Sequence, residues 1–201
     1  MQIQNAVDER LFQAPHPATL DPAPRPALLV VGALIRRKGL EELLRAAAEV
    51  QRAGHVFSMT LVGDGPERPV LEVLIAELGL QHVTLHGSVT PDAMAGIYRS
   101  ADVLVFPTLE DVWGLVVNEA LWSGLPVLCS RWAGCAEEIV PQENVFDPLD
   151  HTAFVSALTR AVTGDITPAD TAPMRSTAQV AGRIIDAIHA DLGSTPAGRR
   201  A

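Results

Sequence analysis

The segment from Pro107 to Gly114 leads into a predicted helix that carries Glu119 about five residues inside it. Backbone N–H groups at the start of such a helix favour a phosphate, and Gly114 would let a ligand approach closely. At about 1.5 Å of rise per residue, Glu119 lies about 7 to 8 Å along the helix, which suits the ribose attached to that phosphate. One loop and one helix could therefore hold a nucleoside diphosphate from both ends.

The same residues also have a purely structural explanation. Glu119 could be an exposed helix residue, and Asp111 could cap the N-terminus of the helix. Their spacing taken alone favours this explanation, so the nucleotide site depends on the wider pattern.

Two other loops carry residues that suit an anion. Arg36, Arg37 and Lys38 form the main cationic run, which is otherwise a solvated loop between a strand and a helix. Gly63-Asp64-Gly65-Pro66 lacks the third glycine of a dinucleotide fingerprint, and a tight turn is its more ordinary interpretation. A nicotinamide-dependent oxidoreductase is excluded, because the acidic residue about 20 positions later is also missing.

Short apolar runs alternate with helical stripes along the chain. The predicted strands are Leu28–Val31, Met59–Val62, Val83–Leu85, Val103–Phe106, Pro126–Leu128 and Val145-Phe146. The predicted helices lie near residues 40–50, 70–78, 90–100, 114–122, 136–140, 151–163 and 180–192. Strands this apolar are covered on both faces, so we predict an α/β fold with a Rossmann-like, mainly parallel sheet and helices on both faces. Ligands bind at the carboxyl ends of such strands, where the three loops lie.

Composition limits the class of protein. The 201-residue chain is 48% apolar and 19% charged, which suits one packed domain with a tail. Its net charge of -9 opposes binding to nucleic acid, so any anion site must be local. Cys129 and Cys135 have neither redox nor zinc-ligand spacing and are expected to pack in a reduced, cytoplasmic protein. No apolar run approaches the ~20 residues of a membrane span.

The wider pattern resembles a known family. Residues 110–120, Glu-Asp-Val-Trp-Gly-Leu-Val-Val-Asn-Glu-Ala, followed by Ser-Gly-Leu-Pro-Val at 123–127, are similar to the signature of group 1 glycosyltransferases. These are retaining enzymes of the GT-B fold that use nucleotide sugars. Four more motifs follow the order of the family: Asn5-Ala6-Val7-Asp8, Lys38-Gly39, Gly63-Asp64-Gly65-Pro66 and His86-Gly87. One motif arises easily by chance, but five in order do not.

The resemblance implies a role for each motif. Lys38 would contact the diphosphate, Glu119 the ribose and Asp111 the sugar hydroxyls, and these three form the implied catalytic set. The nucleobase would lie beside His86 and Gly87, although a structural role for His86 is also open. The other implied donor-binding positions are Gly32, Gly63, Gly65, Trp113, Gly114, Leu115 and Val116.

Two positions depart from the family. Asp111 holds the first of the family's two acidic positions with a short side chain, and a displacement of about 1 Å can cost roughly a hundredfold in rate. Ala33 replaces an arginine that usually pairs with the lysine on the diphosphate. One lost charge-assisted hydrogen bond costs about 1.5 to 3 kcal/mol, or about ten- to a hundredfold in affinity. Arg36 or Arg37 is a candidate replacement, unless both are merely solvated.

The resemblance also implies how the chain is organised. We expect residues 1–26 to be a proline-rich, linker-like lead-in, 27–165 the nucleotide-sugar-binding domain, and 166–201 a loop, an amphipathic helix and a tail. The match is to the C-terminal half of the GT-B fold, so we expect a truncated or split hexosyltransferase whose unknown acceptor binds a separate N-terminal domain. No cofactor or metal is expected, since no Asp-x-Asp motif appears. The alternative function is a non-catalytic nucleotide-binding or degenerate domain.

Overall fold

The computed structural model describes residues 5–14, 17 and 19–193, and its centre is one sheet of six strands. The strands are β1 (Ala27–Val31), β2 (Ser58–Val62), β3 (Val83–Gly87), β4 (Val103–Phe106), β5 (Val127–Ser130) and β6 (Val145–Phe146). They lie in the order β3-β2-β1-β4-β5-β6, and neighbouring strands are parallel. The order reverses between β1 and β4, so the predicted Rossmann-like fold is confirmed.

Helices cover both faces of the sheet. They are α1 (Glu9–Gln13), α2 (Leu40–Arg52), α3 (Arg68–Glu77), α4 (Met94–Tyr98), α5 (Leu115–Trp122), α6 (Ala136–Ile139), α7 (His151–Thr163) and α8 (Thr177–Gly193). Successive strand residues point to opposite faces, so Leu28 and Val30 join the core under α2, α3 and α7, whereas Leu29 joins the core under α4, α5 and α6. The two apolar cores hold the strand ends in fixed positions.

Strand β3 does not match the prediction of strands covered on both faces. It lies at the edge of the sheet, and its residues alternate between partly buried and exposed, with Thr84 and His86 exposed. The alternation Val-Thr-Leu-His is the pattern of a half-buried strand, and the short apolar run masked it.

The linker-like lead-in predicted at residues 1–26 contains a short helix, α1, that packs on the core. Asp8 caps α1 by accepting a hydrogen bond from the Arg10 N–H. Phe12 is buried, with its ring centroid 5.9 Å from that of Tyr98 in an edge-on contact. Arg99 donates to the carbonyl oxygen of Ala14 at 2.8 Å. Helix α1, which is too short to show a clear helical period in the sequence, thus covers part of one face of the domain. Residues 1–4, 15, 16 and 18 lie outside the described residues.

Helix α8 is tied to α1 at its start, where the Thr177 N–H donates to Glu9 Oε2 at 3.0 Å. Helix α8 is the amphipathic helix that the sequence predicts, and the side chains of Ile184, Ile185 and Ile188 on it are exposed. Residues 194–201, the end of the predicted tail, lie outside the described residues. Within the described ranges, no helix has the length and apolar character needed to cross a membrane.

Replacing Phe12 by alanine tests whether α1 belongs to the core. We expect Phe12→Ala to lower the free energy of unfolding by about 3 kcal/mol, because a buried aromatic ring is lost. Leu11→Ala is the matched control, since the neighbouring Leu11 is 58% exposed and its loss should change stability by less than about 0.5 kcal/mol. Urea unfolding measures both; equal effects would show that α1 is not packed.

Candidate functional site

Three loops meet at the carboxyl ends of the central strands, where the strand order reverses. Residues 32–39 follow β1, residues 63–67 follow β2, and residues 107–114 follow β4. A parallel sheet leaves a crevice at this point because the flanking helices run to opposite faces. These are the loops that the sequence indicated.

The loops after β1 and β2 are joined along their backbones. The Gly32 N–H donates to Val62 O, and the Leu34 N–H donates to Asp64 O, both at 3.0 Å. A β-carbon on Gly63 would overlap the carbonyl oxygen of Gly32. The glycine of this turn therefore permits close packing of two loops, which supports the tight-turn interpretation and still places Gly32 and Gly63 at the crevice.

The loops after β1 and β4 are joined in the same way. The Leu109 N–H and the Thr108 hydroxyl both donate to the Arg37 carbonyl oxygen, at 2.8 and 3.0 Å. A β-carbon on Gly39 would overlap the carbonyl oxygen of Pro107. The cationic run is thus held over the end of β4.

Lys38 and Asp111 form an ion pair in the crevice. Lys38 Nζ donates to Asp111 Oδ2 at 2.5 Å, and the two side chains are only 15% and 17% exposed. The Lys38 ammonium also lies 5.1 Å from the ring centroid of Phe106. Burial alone would raise the pKa of Asp111, but the hydrogen bonds from Lys38 and from the Trp113 N–H lower the pKa below its usual value. Asp111 is therefore held as an anion beside a cation.

The structure separates the two neighbouring arginines. Arg36 turns away and makes two hydrogen bonds to the carboxylate of Glu42, at 2.6 and 2.8 Å. Arg37 donates to the Glu110 carbonyl oxygen at 3.1 Å, and its guanidinium lies 4.0 Å from Asp111 Oδ2. Of the two candidate replacements for the arginine missing at Ala33, only Arg37 lies beside the ion pair.

Helix α5 begins at this ion pair. Gly114 precedes the helix with φ 96°, a left-handed conformation, and a β-carbon there would lie 2.7 Å from Phe106 Cε1. The first backbone N–H groups, at Leu115 and Val116, have no carbonyl partner within the helix and so suit an anion. The Trp113 side chain is buried and donates from Nε1 to Asn118 Oδ1 at 2.7 Å, and its carbonyl oxygen accepts from the Cys135 N–H at 3.1 Å, so these groups already have partners within the protein. Asp111 accepts from the Trp113 N–H at 3.1 Å rather than capping the helix directly.

Glu119 lies on α5 and does not pair with Lys38. Its Oε2 accepts a hydrogen bond from the Tyr98 hydroxyl at 2.6 Å. Burial raises the pKa of Glu119 above its usual value, and the hydrogen bond from Tyr98 partly opposes this rise. The structural explanation of Glu119 as a fully exposed helix residue is therefore wrong, because the side chain is partly buried and oriented.

The end of β3 joins the crevice through its backbone. Gly87 O accepts from the Gly63 N–H at 2.9 Å. The His86 side chain is exposed, so a structural role inside the core is wrong for it. His86, Gly87 and the turn that holds Gly65 form one rim of the crevice.

Two side chains that organise the site were missed from the sequence. Tyr98 falls within the helix predicted near residues 90–100 and received no role there, although a buried tyrosine hydroxyl needs a partner, and that need was the available signal. Asn118 is fully buried beside Trp113 and also donates to the Asn5 carbonyl oxygen at 3.3 Å. A buried asparagine next to the motif's glutamate indicates a local network rather than a surface.

Comparison with known proteins identifies the family to which the chain belongs. A model of the family described as "Glycosyl transferases group 1" matches residues 14–174, which is more than half of the chain. An uncharacterized glycosyltransferase of Methanocaldococcus jannaschii is 36% identical over 118 residues, 58% of this chain and 30% of that protein. A GDP-mannose-dependent phosphatidylinositol monomannoside mannosyltransferase of Mycolicibacterium smegmatis is 33% identical over 170 residues, 79% of this chain and 42% of that protein.

Solved structures agree on the fold. Sucrose-phosphate synthase from Thermosynechococcus elongatus superposes with a TM-score of 0.74 at 25% identity, over 96% of this chain and 53% of that one. A trehalose-phosphate synthase from Burkholderia vietnamiensis gives 0.67 at 20% identity, over 85% and 46%. The predicted GT-B Rossmann-like fold is confirmed. The chain spans under half of each curated relative described above and about half of each solved structure.

Removing the Tyr98 hydroxyl tests how Glu119 is held. Tyr98→Phe should lower the free energy of unfolding by about 1.5 to 3 kcal/mol at pH 8, where Glu119 is charged, and by about 1 kcal/mol at pH 4, where Glu119 is protonated. When the folded-state pKa of a carboxyl is raised, the protein becomes less stable as the pH rises through that pKa. Tyr98→Phe should raise the pKa of Glu119 further. Chemical unfolding at both pH values gives the difference. Adding Glu119→Gln should abolish the pH dependence; if it persists, another group is responsible.

Proposed function

Because this chain belongs to the group 1 glycosyltransferases, we propose that its crevice binds a nucleotide-diphosphate sugar, from which a hexosyl group is transferred with retention of the anomeric configuration. The single observation that carries the proposal is the buried pair of Lys38 and Asp111 at the start of α5. A chain with a net charge of -9 keeps a cation out of water only where an anion is to be bound or balanced.

Each group of the donor has a matching group in the crevice. The diphosphate is bound by Lys38 and by the backbone N–H groups of Leu115 and Val116, as at other helix N-termini. The sugar hydroxyls donate to Asp111, which lies beside that phosphate site. Glu119, oriented by Tyr98, accepts from the ribose hydroxyls.

Catalysis in this proposal is electrostatic. When the bond between the anomeric carbon and the diphosphate oxygen breaks, negative charge grows on the leaving oxygen. Lys38 and the start of α5 stabilise that charge from fixed positions, and a preformed environment of this kind needs little reorganisation during the reaction. Asp111 holds the sugar ring in place while the acceptor oxygen bonds to the anomeric carbon on the face that the diphosphate leaves, and the acceptor's proton passes to the departing diphosphate oxygen.

Arg37 compensates for the arginine that is missing at Ala33. Its guanidinium lies 4.0 Å from Asp111 Oδ2, next to the ion pair with Lys38. It can supply the second cation that Ala33 does not. The alternative, a nucleotide-binding domain without activity, is favoured by Ala33 and by the short side chain of Asp111, and it predicts binding without transfer.

The acceptor is bound largely by a second domain, on this polypeptide or another. The crevice described above accounts for the donor, and the chain spans only part of each relative.

Nucleotide binding tests the role of Lys38. One of UDP, GDP and ADP should raise the melting temperature, since a ligand at about 100 times its Kd stabilises by about 2.7 kcal/mol. Lys38→Ala should weaken binding about ten- to a hundredfold and reduce the stabilisation at the same ligand concentration to about 0.4 to 1.4 kcal/mol. Arg36→Ala is the matched control, because that arginine is paired with Glu42 and should leave the shift intact. If no nucleotide stabilises the chain, the donor site is refuted.

Sugar transfer tests the role of Asp111. With the chain, an acceptor domain and a nucleotide hexose, we expect release of nucleoside diphosphate and a product whose anomeric configuration, read by proton NMR, matches the donor. Asp111→Asn should lower kcat roughly a hundredfold. Glu110→Gln should leave kcat unchanged, because Glu110 is exposed. Binding without any transfer would support the non-catalytic alternative, and an inverted product would refute retention.

A further inference from the structure

A groove opens at the carboxyl ends of β5 and β6, next to the crevice. Its volume is about 480 Å³, within the range of roughly 300 to 1,000 Å³ of small-molecule sites. Its functional lining consists of Arg131, Trp132, Glu137, Gln142, Phe146 and Asp147. None of these residues has a role in the proposed donor site.

Trp132 is the largest side chain that lines the groove. Its side chain is 45% exposed, an unusual position for so large an aromatic ring. The indole Nε1 donates to Asp147 Oδ1 at 3.1 Å, and the same oxygen accepts from the Leu149 N–H at 3.0 Å. The Arg131 guanidinium lies 5.4 Å from the ring centroid. The ring is thus oriented before any ligand arrives, so little conformational entropy is lost when a ligand binds.

The loop that carries Trp132 is joined to the loop that carries Asp111. The Asp111 N–H donates to Trp132 O at 3.1 Å, and the Gly134 N–H donates back to Asp111 O at 3.0 Å. A β-carbon on Gly134 would overlap the carbonyl oxygen of Val112. Trp132 therefore has a fixed position relative to the residue proposed to hold the donor sugar.

The lining suits a neutral, polyhydroxylated ring. The lining has one guanidinium, that of Arg131, and two carboxylates, those of Glu137 and Asp147. The resulting excess of negative charge disfavours a phosphate. Hydroxyl groups both donate and accept, so they match a wall that offers carboxylates, an amide and a guanidinium together. The C–H face of a pyranose packs on an aromatic ring while its hydroxyls point to such a rim.

We infer that this groove is a second carbohydrate subsite, in which Trp132 binds a neutral pyranose ring of the acceptor beside the donor sugar. That the bound sugar belongs to the acceptor rests on the proposed function, whereas binding of a sugar ring to Trp132 does not depend on that function. The loop after β5 then contributes to acceptor recognition from within the donor domain.

Sugar binding can be measured on the full chain with two neutral probes, methyl α-D-glucopyranoside and methyl α-D-mannopyranoside. In a ¹⁵N spectrum, the chain shows indole signals from Trp113, Trp122 and Trp132, and Trp132→Phe identifies the third. We expect at least one probe to shift the Trp132 signal saturably, with a Kd in the millimolar range. Saturation transfer to the probe should fall at least about tenfold in Trp132→Ala. Val56→Ala is the control, since Val56 is 63% exposed and precedes β2 at the opposite end of the strands.

Competition separates this subsite from the donor site. With nucleotide sugar or nucleoside diphosphate present at saturation, the glycoside should still bind at Trp132. Displacement of the glycoside by the nucleotide sugar would make the groove part of the donor pocket and overturn the inference. So would a Trp132 shift with inorganic phosphate in place of the glycosides, or no saturable shift with either glycoside. Loss of nucleotide binding in Lys38→Ala is a separate result, so the two proposals fail independently.

Discussion

The close approach of backbone to backbone at the strand ends is the constraint on which the site depends. Gly39, Gly63 and Gly134 each lie where a β-carbon would overlap a carbonyl oxygen of the next loop. Without these contacts, the loops after β1, β2, β4 and β5 would stand apart, and their side chains could not share one ligand. A rigid crevice is therefore obtained from residues that have no side chains. The charged and aromatic side chains of the site extend from these fixed loops.

The apolar periodicity of the chain was enough to predict the sheet and most helices. Strands β1, β2, β4 and β5 are buried on both faces, and their uniform apolar character predicted this directly. The edge position of β3 could not be predicted, because it depends on the order of strands across the sheet. Helix α1 was missed because five residues among prolines show no clear period, and its burial depends on Tyr98, which lies far along the chain.

The site was predictable as a set of loops and much less as a set of contacts. The sequence predicted that Lys38, Asp111 and Glu119 lie near the carboxyl ends of the strands, since parallel strands end at the same edge of a sheet. It could not distinguish Arg36 from Arg37, because their directions follow from a short 3-10 turn and from the competing carboxylate of Glu42. Nor could it reveal that Glu119 is held by Tyr98, whose hydroxyl reaches it from another helix.

Under the proposed function, the ion pair of Lys38 and Asp111 would also affect how the crevice distinguishes a nucleotide sugar from the nucleoside diphosphate that is left after transfer. A nucleotide sugar that draws Lys38 to its diphosphate supplies hydroxyl donors to the carboxylate left behind. A nucleoside diphosphate without the sugar draws on the same lysine but leaves Asp111 buried with fewer partners, which is costly. Return of Asp111 to Lys38 then competes with the spent nucleotide. In that proposal, Lys38 takes the place of the missing sugar as the partner of Asp111, and the ion pair would favour exchange of nucleoside diphosphate for fresh nucleotide sugar.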